Sequence, residues 1–119
     1  MQPFTELKVW QRSHALVLKI YSLTRDFPVD ERFGLTSQLR RAAISVATNI
    51  AEGSRRQHAL DFARFLNIAE ASLAELEYLL MLTRDLGLAD QPALDPHISE
   101  AVEIARMLHA LRRKVETNP

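Results

Sequence analysis

The chain has 119 residues, no cysteine, and 15 Lys and Arg against 15 Asp and Glu. That length suits one domain with one hydrophobic core, and the absence of cysteine excludes disulfides, thiolate metal sites and Cys nucleophiles. A formal net charge of zero argues against a polycation whose nucleic-acid affinity rests on bulk charge.

Three glycines and five prolines amid abundant Ala and Leu favour helix over sheet. A first helix is predicted over about 6–26, with Thr5 as N-cap and Phe27-Pro28 ending it, because proline cannot continue the ladder and pushes its predecessor out of the helical region. A second begins near Asp30 or Phe33 and runs to Glu52, where Gly53 supplies a left-handed stop (about 33–53). A third runs from His58 or Ala59 to Leu86 and stops at Gly87 (about 59–86). Asp95 as N-cap with Pro96 behind it opens a fourth that continues to about Glu116 (about 95–116). Short connections make each helix antiparallel to its predecessor, so the expected fold is an all-α, antiparallel up-down-up-down four-helix bundle spanning the whole chain.

At 100° per residue the helices carry more than one apolar face. The first has a stripe of Leu7, Trp10, His14, Val17, Leu18 and Tyr21, and a second of Val9, Leu16, Ile20 and Leu23. The second helix turns Leu35, Leu39, Ala42, Val46, Ile50 and Gly53 inward, with Ile44, Ala47 and Ala51 to spare. The third points Phe62, Leu66, Ala69, Leu73, Leu76 and Leu80 at the core and leaves Tyr78, Met81 and Leu82 off that face. One stripe per helix suffices for a monomeric bundle. Two explanations are open: broad packing against two neighbours at once, or a homo-oligomer whose interface uses Val9, Leu16, Ile20, Leu23, Ile44, Ala47, Ala51, Tyr78, Met81 and Leu82.

Catalytic signatures are absent. His14, His58, His97 and His109 are not spaced to put two metal ligands on one helix face, so no metal site and no cofactor are expected. His14, on the stripe assigned to the core, is read as a packed, hydrogen-bonded side chain. The isolated glycines make no phosphate loop, and no serine sits in a nucleophile elbow. Asn49 falls at the edge of the buried stripe, where its amide needs partners; Ser72 or Glu75 on the third helix are candidates. Gln38, Arg41, Ser45, Thr48 and Glu52 form a polar ridge; Asn49, Arg41 and Glu52 are assigned structural polar roles, the ridge being either a solvated face or an inter-subunit network. Met1-Gln2-Pro3-Phe4 lacks the pattern of a signal peptide, and no stretch has the roughly 18 apolar residues of a membrane span, so a cytoplasmic protein without membrane contact is expected.

Antiparallel threading separates the charges. One end collects Lys8, Arg12, Arg55, Arg56, Arg64, Arg112, Arg113 and Lys114 against Glu6, Glu52, Asp61 and Glu116. The other collects Arg25, Arg32 and Arg84 against Asp26, Asp30, Glu31, Asp85, Asp90, Asp95 and Glu100. Part of this complements helix dipoles, but Lys8, Arg12 and Arg64 lie at helix N-termini, where dipoles favour acids. Repeated around an oligomer, Arg55, Arg56, Arg112, Arg113 and Lys114 would present a basic surface for RNA or DNA phosphates. His58 is the only ring expected near it, which leaves little material for base stacking.

Leu7-Lys8-Val9-Trp10-Gln11, Phe27-Pro28 with Glu31 and Gly34-Leu35, and above all Gln38-Leu39-Arg40-Arg41-Ala42-Ala43 followed by Ser45 and Asn49-Ile50-Ala51-Glu52-Gly53 resemble the four-helix bundle proteins associated with 23S rRNA intervening sequences. Phe65-Leu66, Ile68-Ala69 and Ser72-Leu73-Ala74-Glu75-Leu76-Glu77 extend the likeness, which runs from Leu7 to about Gly87 and is weak in the fourth helix. Ala71 departs from the pattern, where a Gly commonly precedes Ser-Leu. The resemblance implies an antiparallel four-helix bundle. Relatives that include the accessory variability protein of diversity-generating retroelements look like ring-shaped homopentamers and are thought to engage a reverse transcriptase and nucleic acid. The function expected is a non-enzymatic, pentameric binding or scaffold protein with nucleic acid as ligand; the alternative is a protein-interaction adaptor that binds no nucleic acid.

Overall fold

A computed structural model describes residues 2–118. Four helices, α1 (Lys8–Thr24), α2 (Leu35–Ser54), α3 (Ala59–Asp85) and α4 (Gln91–Thr117), follow one another in an antiparallel bundle, with 3-10 turns at Phe4–Glu6 and Val29–Glu31. The rod measures 45 × 22 × 20 Å, the length expected of its two 27-residue helices at about 1.5 Å per residue. Among the described residues there is no strand, and no helix is long and apolar enough to cross a membrane.

The boundaries show which local signals prevailed. Gly87 ends α3 as expected: with φ 74° it is the sole described residue in the left-handed region. The Gly87 amide donates to the Arg84 carbonyl and the Leu88 amide to the Thr83 carbonyl, the paired bonds of a Schellman stop. Gly53 is different. It is helical, α2 continues through Ser54, and Gly53 is needed for space: a Cβ there would lie 2.6 Å from the Phe65 Cβ and 3.0 Å from the Phe62 Cδ1. Thr5 does not cap α1; it lies in the 3-10 turn, where its carbonyl accepts from Gln11 Nε2 at 2.9 Å, and Leu7 takes the N-cap position. Helix α2 begins at Leu35, whose amide donates to the Glu31 carboxylate at 3.1 Å.

Helix α4 starts one turn earlier than Asp95-Pro96 suggested. Asp90 is the N-cap, accepting from the Ala93 amide at 2.9 Å, with Pro92 in the first turn. Asp95 instead accepts from the Gln91 side chain. Pro96 then sits inside the helix and forfeits one ladder bond. The longer helix carries Leu94 into the core in line with Ala101, Ile104 and Leu108, all completely buried.

Leu39, Val46 and Ile50 of α2 and Leu66, Leu73, Leu76 and Leu80 of α3 fill the bundle axis, as their spacing predicts. In α1 the two stripes are exchanged. Val9, Leu16 and Ile20, expected at an oligomer interface, are core residues, and Leu23 and Leu82 pack partly buried against that core. His14, Leu18 and Tyr21 face outward, with Trp10 and Val17 half-buried beside them. The reason lies in Ser13 and Thr24. Both are buried on the inner stripe, because Ser13 Oγ donates to the Val9 carbonyl at 2.7 Å and Thr24 Oγ1 to the Ile20 carbonyl at 2.8 Å. A hydroxyl satisfied by its own helix costs little to bury, whereas an imidazole or a phenol on that face would need a partner across the core.

Candidate functional site

The starts of α1 and α3 and the ends of α2 and α4 share one end of the rod, where the sequence places an excess of cations. Two of these are neutralised along the flanks. Arg12 reaches α4, donating to the Glu100 carboxylate at 2.5 and 3.0 Å, so the two charges cancel across the α1–α4 seam. Arg112, expected to contact phosphates, is bound to Glu70 of α3 and to Glu116 at 3.1 Å, and its side chain is only 20% exposed. The hydrogen bonds it donates to Glu70 hold its guanidinium above the ordinary arginine value. Arg112 is a bundle clasp.

The Arg12 hydrogen bonds hold the Glu100 carboxyl below its ordinary value. A depressed carboxylate contributes stability in full above its unfolded-state value, and that contribution is lost as pH falls through the folded-state value. Glu100→Gln is therefore expected to be less stable than the wild type at neutral pH, the gap closing in acid. Urea titrations at neutral pH and at about pH 3 check this; a gap that stays constant overturns it.

Five cations at this end, Lys8, Arg55, Arg56, Arg113 and Lys114, are exposed and form no ion pair among the described residues. The α2–α3 connection positions two of them: the Arg55 amide donates to the Glu52 carbonyl at 3.2 Å and the Arg56 amide to the Gly53 carbonyl at 3.1 Å, so the chain turns tightly as α2 ends. The Arg55 guanidinium lies 5.5 Å from the centroid of Phe4. Those of Arg56 and Arg64 lie 4.6 and 5.0 Å from that of Phe65, Arg64 also standing 3.8 Å from Asp61. Cations over ring faces gain from the ring quadrupole and are held in place.

His58 is therefore not the only ring here; Phe4 and Phe65 were missed. Phe65 has a sequence signal: it flanks the Phe62–Leu66–Ala69 stripe on the side that faces α2, opposite the one helical position where α2 has no side chain, Gly53. Phe4 has none, since its position depends on the 3-10 turn that folds it edge-on against Trp10, ring centroids 5.1 Å apart.

A concavity of about 470 Å³ opens between Phe4, Ala51, Glu52, Arg55 and Arg56. Beside it a groove of about 340 Å³ runs between α1 and α2, lined by Phe4, Trp10, His14, Val17, Ile44, Ala47, Thr48, Ala51 and Glu52. His14, assigned to the core by its stripe, is exposed in this groove and stacks on Trp10 at 5.1 Å with the rings 3° from parallel. Of the other residues assigned to an interface, Ile44, Tyr78 and Met81 are exposed, and Ala47 and Ala51 half-buried.

The polar ridge resolves into two parts. Asn49 Nδ2 donates within α2, to the Ser45 carbonyl at 2.8 Å and Ser45 Oγ at 3.1 Å, and Ser45 Oγ meets Ser72 Oγ at 2.8 Å, so Asn49 reaches α3 only through Ser45. Arg41 lines a second groove of about 330 Å³ with Gln38, Ala42, Ser45 and Glu75. Among the described residues no three His, Asp or Glu side chains cluster to hold a metal ion.

A family model described as 23S rRNA-intervening sequence protein matches residues 5–110. A crystal structure of a protein of unknown function from the S23 ribosomal protein family of Bacteroides thetaiotaomicron VPI-5482 shares the fold, with a TM-score of 0.79 and 24% identity over 87% of this chain and 97% of that one. No curated protein matches the chain. The family match takes in α1, α2, α3 and most of α4, so the chain belongs to the 23S rRNA-intervening sequence protein family.

Proposed function

We propose that this protein is a non-catalytic, cytoplasmic, self-associating helical bundle whose basic end binds RNA or DNA through its phosphates. The observation that carries the reading is the set of arginines at the α2–α3 turn: Arg55 and Arg56 are exposed, lack acidic partners among the described residues, and rest with Arg64 on the rings of Phe4 and Phe65. Cations already fixed in position lose less side-chain entropy when phosphate arrives. Arg113 and Lys114 extend the surface, while Arg112 serves it indirectly by tying α4 to α3. Self-association, as a pentamer on the resemblance, is supported by the exposed Ile44, Tyr78 and Met81 and by the apolar α1–α2 groove. Repetition of the basic end around such an assembly would multiply a modest local charge into a strong field.

The test is the Arg55→Glu, Arg56→Glu double variant, with binding to a labelled single-stranded RNA read by fluorescence anisotropy over a salt series. Loss of two cations from the surface is expected to weaken binding about 100-fold at low salt and to flatten the dependence of log K on log salt by about 1.4. Sedimentation of both proteins should give the same species, heavier than the 13.6 kDa chain. Binding that ignores salt, or is absent from the wild type at about 10⁻⁴ M, overturns the phosphate reading. An intact oligomer without nucleic-acid affinity would then leave the adaptor function, to which the α1–α2 groove is suited.

A further inference from the structure

Glu52 is out of place in a phosphate-binding surface. Its side chain is exposed, lines the concavity between Arg55 and Arg56, and forms no ion pair or side-chain hydrogen bond among the described residues. An ionised carboxylate accepts hydrogen bonds only and repels phosphate, so at this position it weakens binding unless the ligand brings donors to it. The rest of the concavity has the character of a base site. Phe4 and Ala51 supply apolar surface, and the Arg55 guanidinium, 5.5 Å from the Phe4 ring centroid, supplies a planar cation. Unpaired bases stack on aromatic rings and on arginine planes. The concavity, about 470 Å³, is open to solvent, so a base lying in it is stacked on one side and not enclosed.

We infer that this concavity receives an unpaired guanine from a single-stranded nucleic acid, stacked on the Phe4–Arg55 layer, with Glu52 accepting from its Watson–Crick edge and Arg56 holding a flanking phosphate. The inference rests on the reading that this end binds nucleic acid, and it names the kind. Guanine presents N1–H and the N2 amino group side by side, two adjacent donors that match the two oxygens of a carboxylate. Adenine and cytosine present one amino donor beside a ring-nitrogen acceptor. Uracil and thymine present one N–H between two carbonyls, which would face the carboxylate unpaired. In a duplex the same edge is consumed by pairing, so a paired guanine cannot use the site.

The experiment compares three labelled RNAs of about 12 nucleotides, a length within single-strand site sizes: uridine only, alternating uridine and guanosine, and the alternating strand annealed to its complement. With wild-type protein the alternating single strand should bind about 10- to 100-fold more tightly than either other probe, the discrimination of a bidentate contact. In Glu52→Gln, which keeps an exposed helix former at that position, the preference for guanosine should collapse while the uridine-only strand binds somewhat more tightly for want of a negative charge. If Glu52→Gln raises affinity for every probe by one common factor, or if the duplex competes equally, phosphate binding stands and the guanine site is overturned. If no probe binds in a salt-dependent way, both fall. Circular dichroism of the variant, expected to match the wild type, confirms that the fold is not the cause.

Discussion

Leu16→Ala is expected to cost about 2–5 kcal/mol of unfolding free energy, the usual range for truncating a buried leucine and a large part of the 5–15 kcal/mol that a domain has. Leu16 is 2% exposed and belongs to the continuous core of all four helices. Leu18→Ala, two residues along the same helix, is expected to change stability by no more than about 0.5 kcal/mol, since Leu18 is 57% exposed. Urea unfolding of the pair decides which stripe of α1 faces the core. Equal losses, or a larger loss from Leu18→Ala, would mean that the helix is rotated from the orientation described.

Gly53→Ala is the second substitution with a large effect, and here two terms oppose each other. Alanine is worth up to about 1 kcal/mol over glycine in a helix interior, and less at Gly53, the penultimate residue of α2. Against that, the new Cβ would stand 2.6 Å from the Phe65 Cβ and 3.0 Å from the Phe62 Cδ1, where carbon contacts are optimal near 3.5–4.0 Å. The Phe65 Cβ is fixed to the α3 backbone and no rotamer moves it, so the helices themselves must part. Overpacking of this kind costs about 1–3 kcal/mol, and the net expectation is a loss of about 1–2 kcal/mol. A thermal melt of Gly53→Ala above the wild type would show that propensity prevails and that α2 and α3 are not closely apposed here. Because Phe65 carries the guanidinium groups of Arg56 and Arg64, the same variant should also weaken nucleic-acid binding, although no cation is altered.

The architecture was legible in the sequence because its punctuation is strong. Phe27-Pro28, Gly87 and the 3.6-residue stripes of α2 and α3 are local signals, and local signals were enough for an up-down-up-down bundle. The errors arose where a residue's role depends on a partner far along the chain. Gly53 carries the signature of a helix stop, yet what it accommodates is Phe65, on the next helix. Asp95-Pro96 reads as a helix start, but Asp90 with Pro92 does so as well, and burial of Leu94 favours the earlier one. The two stripes of α1 are nearly equal in apolar content. Only the ability of Ser13 and Thr24 to satisfy themselves separates them, and that is a property of hydrogen bonds and not of hydropathy.

The candidate site was legible in part. Arg55 and Arg56 follow from topology and charge, because a turn between antiparallel helices must lie at an end. Their mounting on Phe4 and Phe65 does not, since two rings from segments about 60 residues apart meet there only after folding. Arg12 and Arg112 were counted as surface charge because reach is not visible in sequence: each spans to a neighbouring helix to find a carboxylate.

The clasp between Arg12 and Glu100 also bears on how the chain finds this structure. Every other pairing of neighbouring helices joins segments consecutive in sequence, whereas this contact joins residues 88 apart. The entropy of closing a loop grows only as the logarithm of its length, about 0.6 kcal/mol for each doubling. The α1–α4 seam thus adds little to the thermodynamic cost of folding. Kinetically it is the one slow closure in a topology otherwise built from hairpins, which fold quickly because their contacts are local. Three successive hairpins followed by a single long-range latch is the order of assembly that this connectivity favours.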